Sequence, residues 1–261
     1  MDGWGAMISR GALLKVFLGS FFIQSSWSFE KMQGLGFASA IAPALKEIFK
    51  DKKARIEAYK RHLDFYNAHP YMASPVLGAS INLEEKAGEA GPGASAAPKF
   101  KSMIMGPYGA IGDSFFWGSV RPMASVIGVL ITLLWGWKGP LAFLLLYNCF
   151  HLWMRFYGLK AGVRDGKDVV GYIMSLDLPE WGVRFKYLTA AVLGVVSVVV
   201  LWSLFGAAGA PVKKWVWLGA GFPAVMASVI ALSLLFKRGL SISKLVYIVT
   251  LPLILYGLLL G

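Results

Sequence analysis

Residues Gly106 to Pro122 read GPYGAIGDSFFWGSVRP, and the fold turns on how this stretch is built. Four glycines and two prolines argue against an ordinary long helix, because glycine weakens a helix and proline removes one of its hydrogen bonds. Yet the stretch runs straight into an apolar segment, Pro122 to Leu134. Asp113 sits in its middle and Arg121 at its end. A carboxylate beside a helix break is a way to build a polar site inside an apolar protein, since broken backbone at membrane depth is tolerated only where it lines a cavity or is buried in protein. The competing reading is a turn with a capping Asp before the first span. On the residues alone both readings stand.

The rest of the chain supports a membrane setting. Of 261 residues, 57% are hydrophobic and only 15% charged, with a mean hydropathy of +0.60. The charges gather before Ser102, between Arg155 and Lys186, and near Lys237, leaving long stretches almost free of them. The net charge is +12. No basic groove interleaved with aromatics is present, so nucleic acid is not an expected partner. Lys and Arg flank apolar runs instead, which fits anionic membrane lipid. The lone Cys149 rules out an internal disulfide and is expected to be a small buried hydrophobe.

Working outward, Ala12 to Trp27 is too short in its apolar run to span and reads as an interfacial or protein-buried helix rather than a signal peptide. Gly34 to Leu45 is rich in small residues, suits close helix packing, and carries Pro43 as an expected kink or break. Lys46 to Asn67 places Ile56, Tyr59, Leu63 and Tyr66 at helical spacing among basic residues, an amphipathic helix at a surface or against a partner. The expected organisation is a helical N-terminal region over 1–85, a Gly/Ala/Pro-rich flexible linker over 86–98, and a membrane region over 99–261 with about five spans. The strongest candidates are Tyr187 to Phe205, Trp215 to Phe236 and Leu245 to Leu260, with Leu141 to Tyr157 interrupted by Asn148, His151 and Arg155. Tryptophans near span ends, among them Trp135, Trp137 and Trp202, match an aromatic belt. The basic loop from Gly158 to Lys186 is expected to be cytoplasmic, and the turn at 136–140 to face outward. The fold class is therefore all-α, a polytopic membrane protein with amphipathic and broken or re-entrant helices.

Motifs for chemistry are missing. The sequence has no phosphate-binding loop, no nucleophile elbow, no HExxH and no metal-spaced cluster, so no catalytic residue, metal or cofactor is expected. Of the three histidines, His62 reads as a surface residue of the amphipathic helix, His151 lies in a span near Arg155, and His69 beside Pro70 draws most interest. Polar residues in otherwise apolar, Gly/Pro-broken regions are Gln24, Glu30, Gln33, Asn67, His69 and Asp113. Carboxylates and amides suit sugar hydroxyls, which both donate and accept. For each residue singly, the plain alternative is capping or interhelical hydrogen bonding.

Three stretches taken together carry a resemblance. LLKVFLGSFFIQSSWSFEKMQGLGFASAIAPAL, KRHLDFYNAHPYMASPVLG and MGPYGAIGDSFFWGSVRP resemble the IID component of the mannose-type (mannose/fructose/sorbose) phosphotransferase system, in the family's order and at similar spacing. The resemblance implies a multi-pass subunit of a bacterial inner-membrane sugar permease with no catalytic residue of its own. It implies a IIC membrane partner, trimers of the IIC/IID pair, and soluble IIA and IIB proteins that carry the phosphate. Glu30, Asn67, His69 and Asp113 become the expected sugar-facing residues. The chain departs from the family's pattern at Tyr108 and Gly109, where Leu and Ala are common, and at Ser28 and Lys31, where Asn and Arg are. The rival readings are a membrane-embedded acid/base enzyme using Asp113 and His69, and a structural partner that stabilises IIC.

Overall fold

The computed structural model describes residues 8–90 and 95–206. Met1–Ser197 forms one compact unit and Val198–Gly261 another, and the helical bundle that carries the candidate site belongs to the first. The described residues are helical throughout, with no strand beyond two isolated bridges.

Helix α1, Arg10–Gly19, starts at Ser9, whose hydroxyl accepts from the Ala12 amide at 3.1 Å. The Ser9 amide and hydroxyl both donate to the Glu47 carboxylate at 2.7 Å. This ties the start of α1 to the end of α2, Gly34–Ile48, and the two helices run antiparallel. The turn after α1 lies close against α2. A Cβ on Gly36 would lie 2.0 Å from the Ile23 carbonyl oxygen, so only glycine fits. Pro43 does not end α2, which continues through it to Ile48.

Helix α3, Lys52–His62, is capped by Asp51, which accepts from the Ala54 amide at 2.8 Å. It is shorter than expected, and its buried face differs. Ile56 and Leu63 are exposed, while Ala58 and His62 are buried. His62 is thus not a surface residue. Its ring stacks 5.8 Å from Phe37, and Nε2 donates to Glu84 at 2.9 Å. Arg61 grips the same carboxylate through two nitrogens, and the Ser95 hydroxyl donates to it at 2.9 Å. Burial pushes the Glu84 carboxyl up, but the bonds from Arg61 and His62 outweigh it and hold the group at about 2. Burial holds His62 below its ordinary value, so it donates as a neutral ring. The C-terminus of α3 is closed from another helix: the buried Lys101 ammonium donates to the carbonyls of His62 (3.1 Å) and Asp64 (3.4 Å).

Helix α4, Ala73–Ala90, occupies the first residues of the expected linker, because Glu85, Lys86 and Ala87 are good helix formers. It packs parallel to α7, Lys138–Asp165. The seam is backbone on backbone. A Cβ on Gly78 would sit 2.3 Å from the Leu159 carbonyl, and one on Gly162 2.3 Å from that of Pro75. Asn82 locks the far end by donating to the Val163 carbonyl at 2.8 Å.

The deciding stretch is not broken. Helix α5, Ala97–Gly112, a π-helical segment, Asp113–Val120, and helix α6, Arg121–Trp135, form one continuous rod of 39 residues. At 1.5 Å per residue it is about 58 Å long, well beyond the roughly 30 Å of a bilayer's apolar core. The irregularity expected here takes the form of widened turns. Pro122 has no amide to give and its ring crowds the carbonyl four residues back. The chain opens just before it: the Arg121 amide reaches back five residues to Phe116, and the Ser119 hydroxyl donates to the Ser114 carbonyl at 2.8 Å. Asp113 makes no capping bond; it stands in mid-rod with its side chain exposed.

A tight turn at Gly136 (φ 60°) returns the chain into α7, and the exposed Trp135 and Trp137 mark that end of the bundle. Helix α8, Val169–Ser175, and helix α9, Leu178–Gly206, complete the order. Cys149 is exposed rather than buried, because it lies on the side of α7 away from α4, at a cavity of about 700 Å³ lined by Phe115, Trp153 and Trp181. Among the described residues, the rod Ala97–Trp135 is the one helix long and apolar enough to cross a membrane. The expected spans at 215–236 and 245–260 lie outside the described residues.

Candidate functional site

The three stretches that carry the family resemblance meet in space. Met32, with φ 50°, closes a small loop with Ser28 through paired backbone bonds of 2.8 and 3.2 Å. The next residue, Gln33, accepts the neighbouring chain as a short zipper. Its amide donates to the Tyr66 carbonyl at 2.8 Å, and its buried side chain bonds the Ala68 carbonyl (2.8 Å) and amide (3.3 Å). For Gln33 the plain reading therefore holds: it is a backbone clamp. The 68–69 segment then lies on the glycine face of the rod. A Cβ on Gly112 would fall 2.3 Å from His69 Cβ, and one on Gly109 3.9 Å from Ala68 Cα.

His69 is the centre of this junction. It is 1% exposed. Its ring stacks on Phe116 with centroids 5.0 Å apart and meets Trp117 edge-on at 4.7 Å, both from the π segment. Tyr71 closes another side at 4.8 Å. The Tyr71 amide donates to His69 Nδ1 at 3.3 Å. A backbone N–H can only donate, so Nδ1 is the acceptor and Nε2 carries the proton. That Nε2–H is buried without a partner among the described residues. It is a donor held ready for an oxygen.

None of the other expected residues bonds to His69 among the described residues. Asn67 is exposed beside the zipper, Glu30 is exposed on the loop that Ser28 and Met32 close, and Asp113 is exposed one residue after Gly112. No hydrogen bond joins any two of the four among the described residues. Asp113 and His69 are therefore not hydrogen-bonded to each other.

Sequence reasoning did not assign a role to the polar layer behind His69. The Tyr71 hydroxyl bonds that of Tyr147 at 3.0 Å, its ring stacks on His151 at 4.7 Å, and the Arg155 guanidinium lies 5.1 Å from the same ring. The available signal was that Tyr147, His151 and Arg155 recur at helical spacing in an apolar run, placing them on one face of α7.

The sequence profile of the phosphotransferase system mannose/fructose/sorbose family IID component matches residues 7–259. The chain belongs to this family. It is 40% identical over 165 residues to the mannose-specific EIID component of Escherichia coli K12, a match spanning 62% of this chain and 58% of that protein. It is 32% identical over 211 residues to the fructose permease IID component of Bacillus subtilis, covering 80% and 70%. The sorbose-specific EIID component of Klebsiella pneumoniae is 36% identical over 164 residues, covering 62% and 60%. Among solved structures, a chain of the complex of the mannose transporter ManYZ with microcin E492 aligns with TM-score 0.58 at 34% identity, covering 72% of this chain and 70% of that one. A second membrane protein aligns at 0.64 with the same identity, covering 74% and 71%. The protein is thus a membrane protein of the IID component family.

Proposed function

We propose that this IID chain, together with a IIC subunit, binds a hexose-type sugar and passes it across the bacterial inner membrane, where phospho-IIB, charged by IIA, phosphorylates it. The observation that carries the reading is the buried, unpartnered Nε2–H of His69 at the junction of the three family-like stretches. The mannose, fructose and sorbose specificities named for the relatives agree on the class of ligand. The depth fits as well. Asp113 lies 16 residues along the rod from Ala97, about 24 Å from that end. An exposed carboxylate in mid-span is tolerated when it faces a polar cavity or a partner chain, and IIC supplies that wall. The exposed Arg10, Lys15, Lys46, Lys50, Lys52 and Lys53 gather where the Ser9–Glu47 clasp joins α1 to α2, and that end is cytoplasmic by the positive-inside rule. In the assembly, proposed as a trimer of IIC/IID pairs, Glu30, Asn67, His69 and Asp113 contact the sugar and perform no bond chemistry.

Asp113→Asn in the assembled IIC/IID complex is the test. Asn keeps the shape and removes the charge. Losing a charged acceptor costs about 1.5–3 kcal/mol, so sugar uptake is expected to need at least about tenfold more sugar. Uptake at the wild-type sugar affinity removes Asp113 from the site.

A further inference from the structure

We infer that Arg155 is a positioning residue for the sugar site: through the ring of Tyr71 it holds the His69 imidazole in its single, Nε2-protonated form. The inference rests on the proposed role of His69 in sugar binding.

Arg155 is 3% exposed and sits well inside α7, in the run from Leu141 to Tyr157. No carboxylate pairs with it among the described residues. A guanidinium in such surroundings is expensive and persists where it has a task. Its contacts show the task. One terminal nitrogen, Nη1, donates to both oxygens of Ser20, the carbonyl and, at 2.9 Å, the hydroxyl. The flat face lies against two rings, Phe21 at 4.6 Å and Tyr71 at 5.1 Å. Arg155 thus fixes the tyrosine ring from the side of α1. The same ring stacks on His151 and abuts His69. His151 is held in turn by Asn148, whose Oδ1 lies 2.6 Å from His151 Nε2. Two neighbours of the Tyr71 ring, Arg155 and His151, are therefore held by partners of their own, and the Tyr71 amide is aimed at His69 Nδ1.

The alternative is that Arg155 merely ties the turn after α1 to α7. The two roles separate by nitrogen NMR on the complete complex with IIC in lipid bilayers, with histidine labelled and the His69 signals assigned from the difference made by His69→Gln. Wild-type His69 is expected to show one tautomer, Nδ1 bare and Nε2 protonated. In Arg155→Met both tautomers are expected, with sugar affinity about tenfold weaker, or ~1.4 kcal/mol, and the complex still assembled. Tyr71→Leu, which leaves Arg155 on Ser20, carries the same expectation should Arg155→Met not assemble. An unchanged His69 spectrum in the variant that assembles overturns the inference. Unchanged sugar affinity in His69→Gln, with the spectral change present, overturns the sugar-site reading and leaves the link from Arg155 to His69 standing.

Discussion

Gly112→Ala should damage sugar recognition, whereas the same change six residues earlier should not. The added methyl carbon would fall 2.3 Å from His69 Cβ, 2.5 Å from Cγ and 2.9 Å from Met72 Cγ. Carbon atoms settle near 3.5–4.0 Å, so ring and rod must part by roughly 1.2 Å or more. Phe116, Trp117 and Tyr71 crowd the imidazole on other sides. Overpacking of this kind costs about 1–3 kcal/mol. If the strain is relieved by moving His69, sugar affinity falls roughly 5- to 150-fold. At Gly106 a methyl group meets nothing within 4 Å, and Ala there should stabilise the helix by about 0.5–1 kcal/mol. Both variants are made with IIC, assembly is checked by co-purification, and uptake is followed against sugar concentration. Wild-type affinity in Gly112→Ala, with the complex intact, would falsify the placement of His69 against the rod.

Two further outcomes concern the N-terminal helices. Glu84 is held at about 2, below its ordinary 4.5, so its contribution is fully present above pH ~4.5 and fades as the pH falls toward 2. Glu84→Gln should lower stability by about 1.5–3 kcal/mol at neutral pH and flatten that acid limb, read from thermal denaturation between pH 2 and 7; a variant with the wild-type acid profile would remove Glu84 as its cause. Lys101→Met leaves two carbonyls at the end of α3 without their ammonium and should cost about 1–2 kcal/mol. A melting temperature at or above wild type would show that the relief of burying a charge is the larger effect.

The sequence made the helical membrane class and the meeting of three separated stretches legible, because the motifs are long and occur together. It misread the centre of the rod. Glycine and proline counts predict interruption, but Pro122 needs only one widened region, and the backbone reaching back to Phe116 and Ser114 supplies it. His62 was misplaced for a similar reason. Its basic neighbours suggested solvent, whereas its partner, Glu84, lies 22 residues away. Polar residues buried by long-range pairing leave little local trace. Gln33 shows the converse: its polarity marked it, but its place beside the 66–68 segment made it a clamp. The layer of Tyr71, Tyr147, His151 and Arg155 is assembled by tertiary packing from two distant segments, and only the part on α7 has a readable spacing.

The seam between α4 and α7 sets what this subunit can do mechanically. Gly78, Gly158 and Gly162 bring main chain against main chain, with Pro75 wedged between them. Such a joint has no rotamers that could yield, so the two helices act as one plank. Tyr71 sits just before one helix and Arg155 within the other, so the brace behind His69 travels with the plank during any displacement. Ser28 and Lys31 on the loop, and Tyr108 and Gly109 on the rod, all lie off it. Side chains on that side can change one at a time without disturbing the seam, because none of them packs between its glycines.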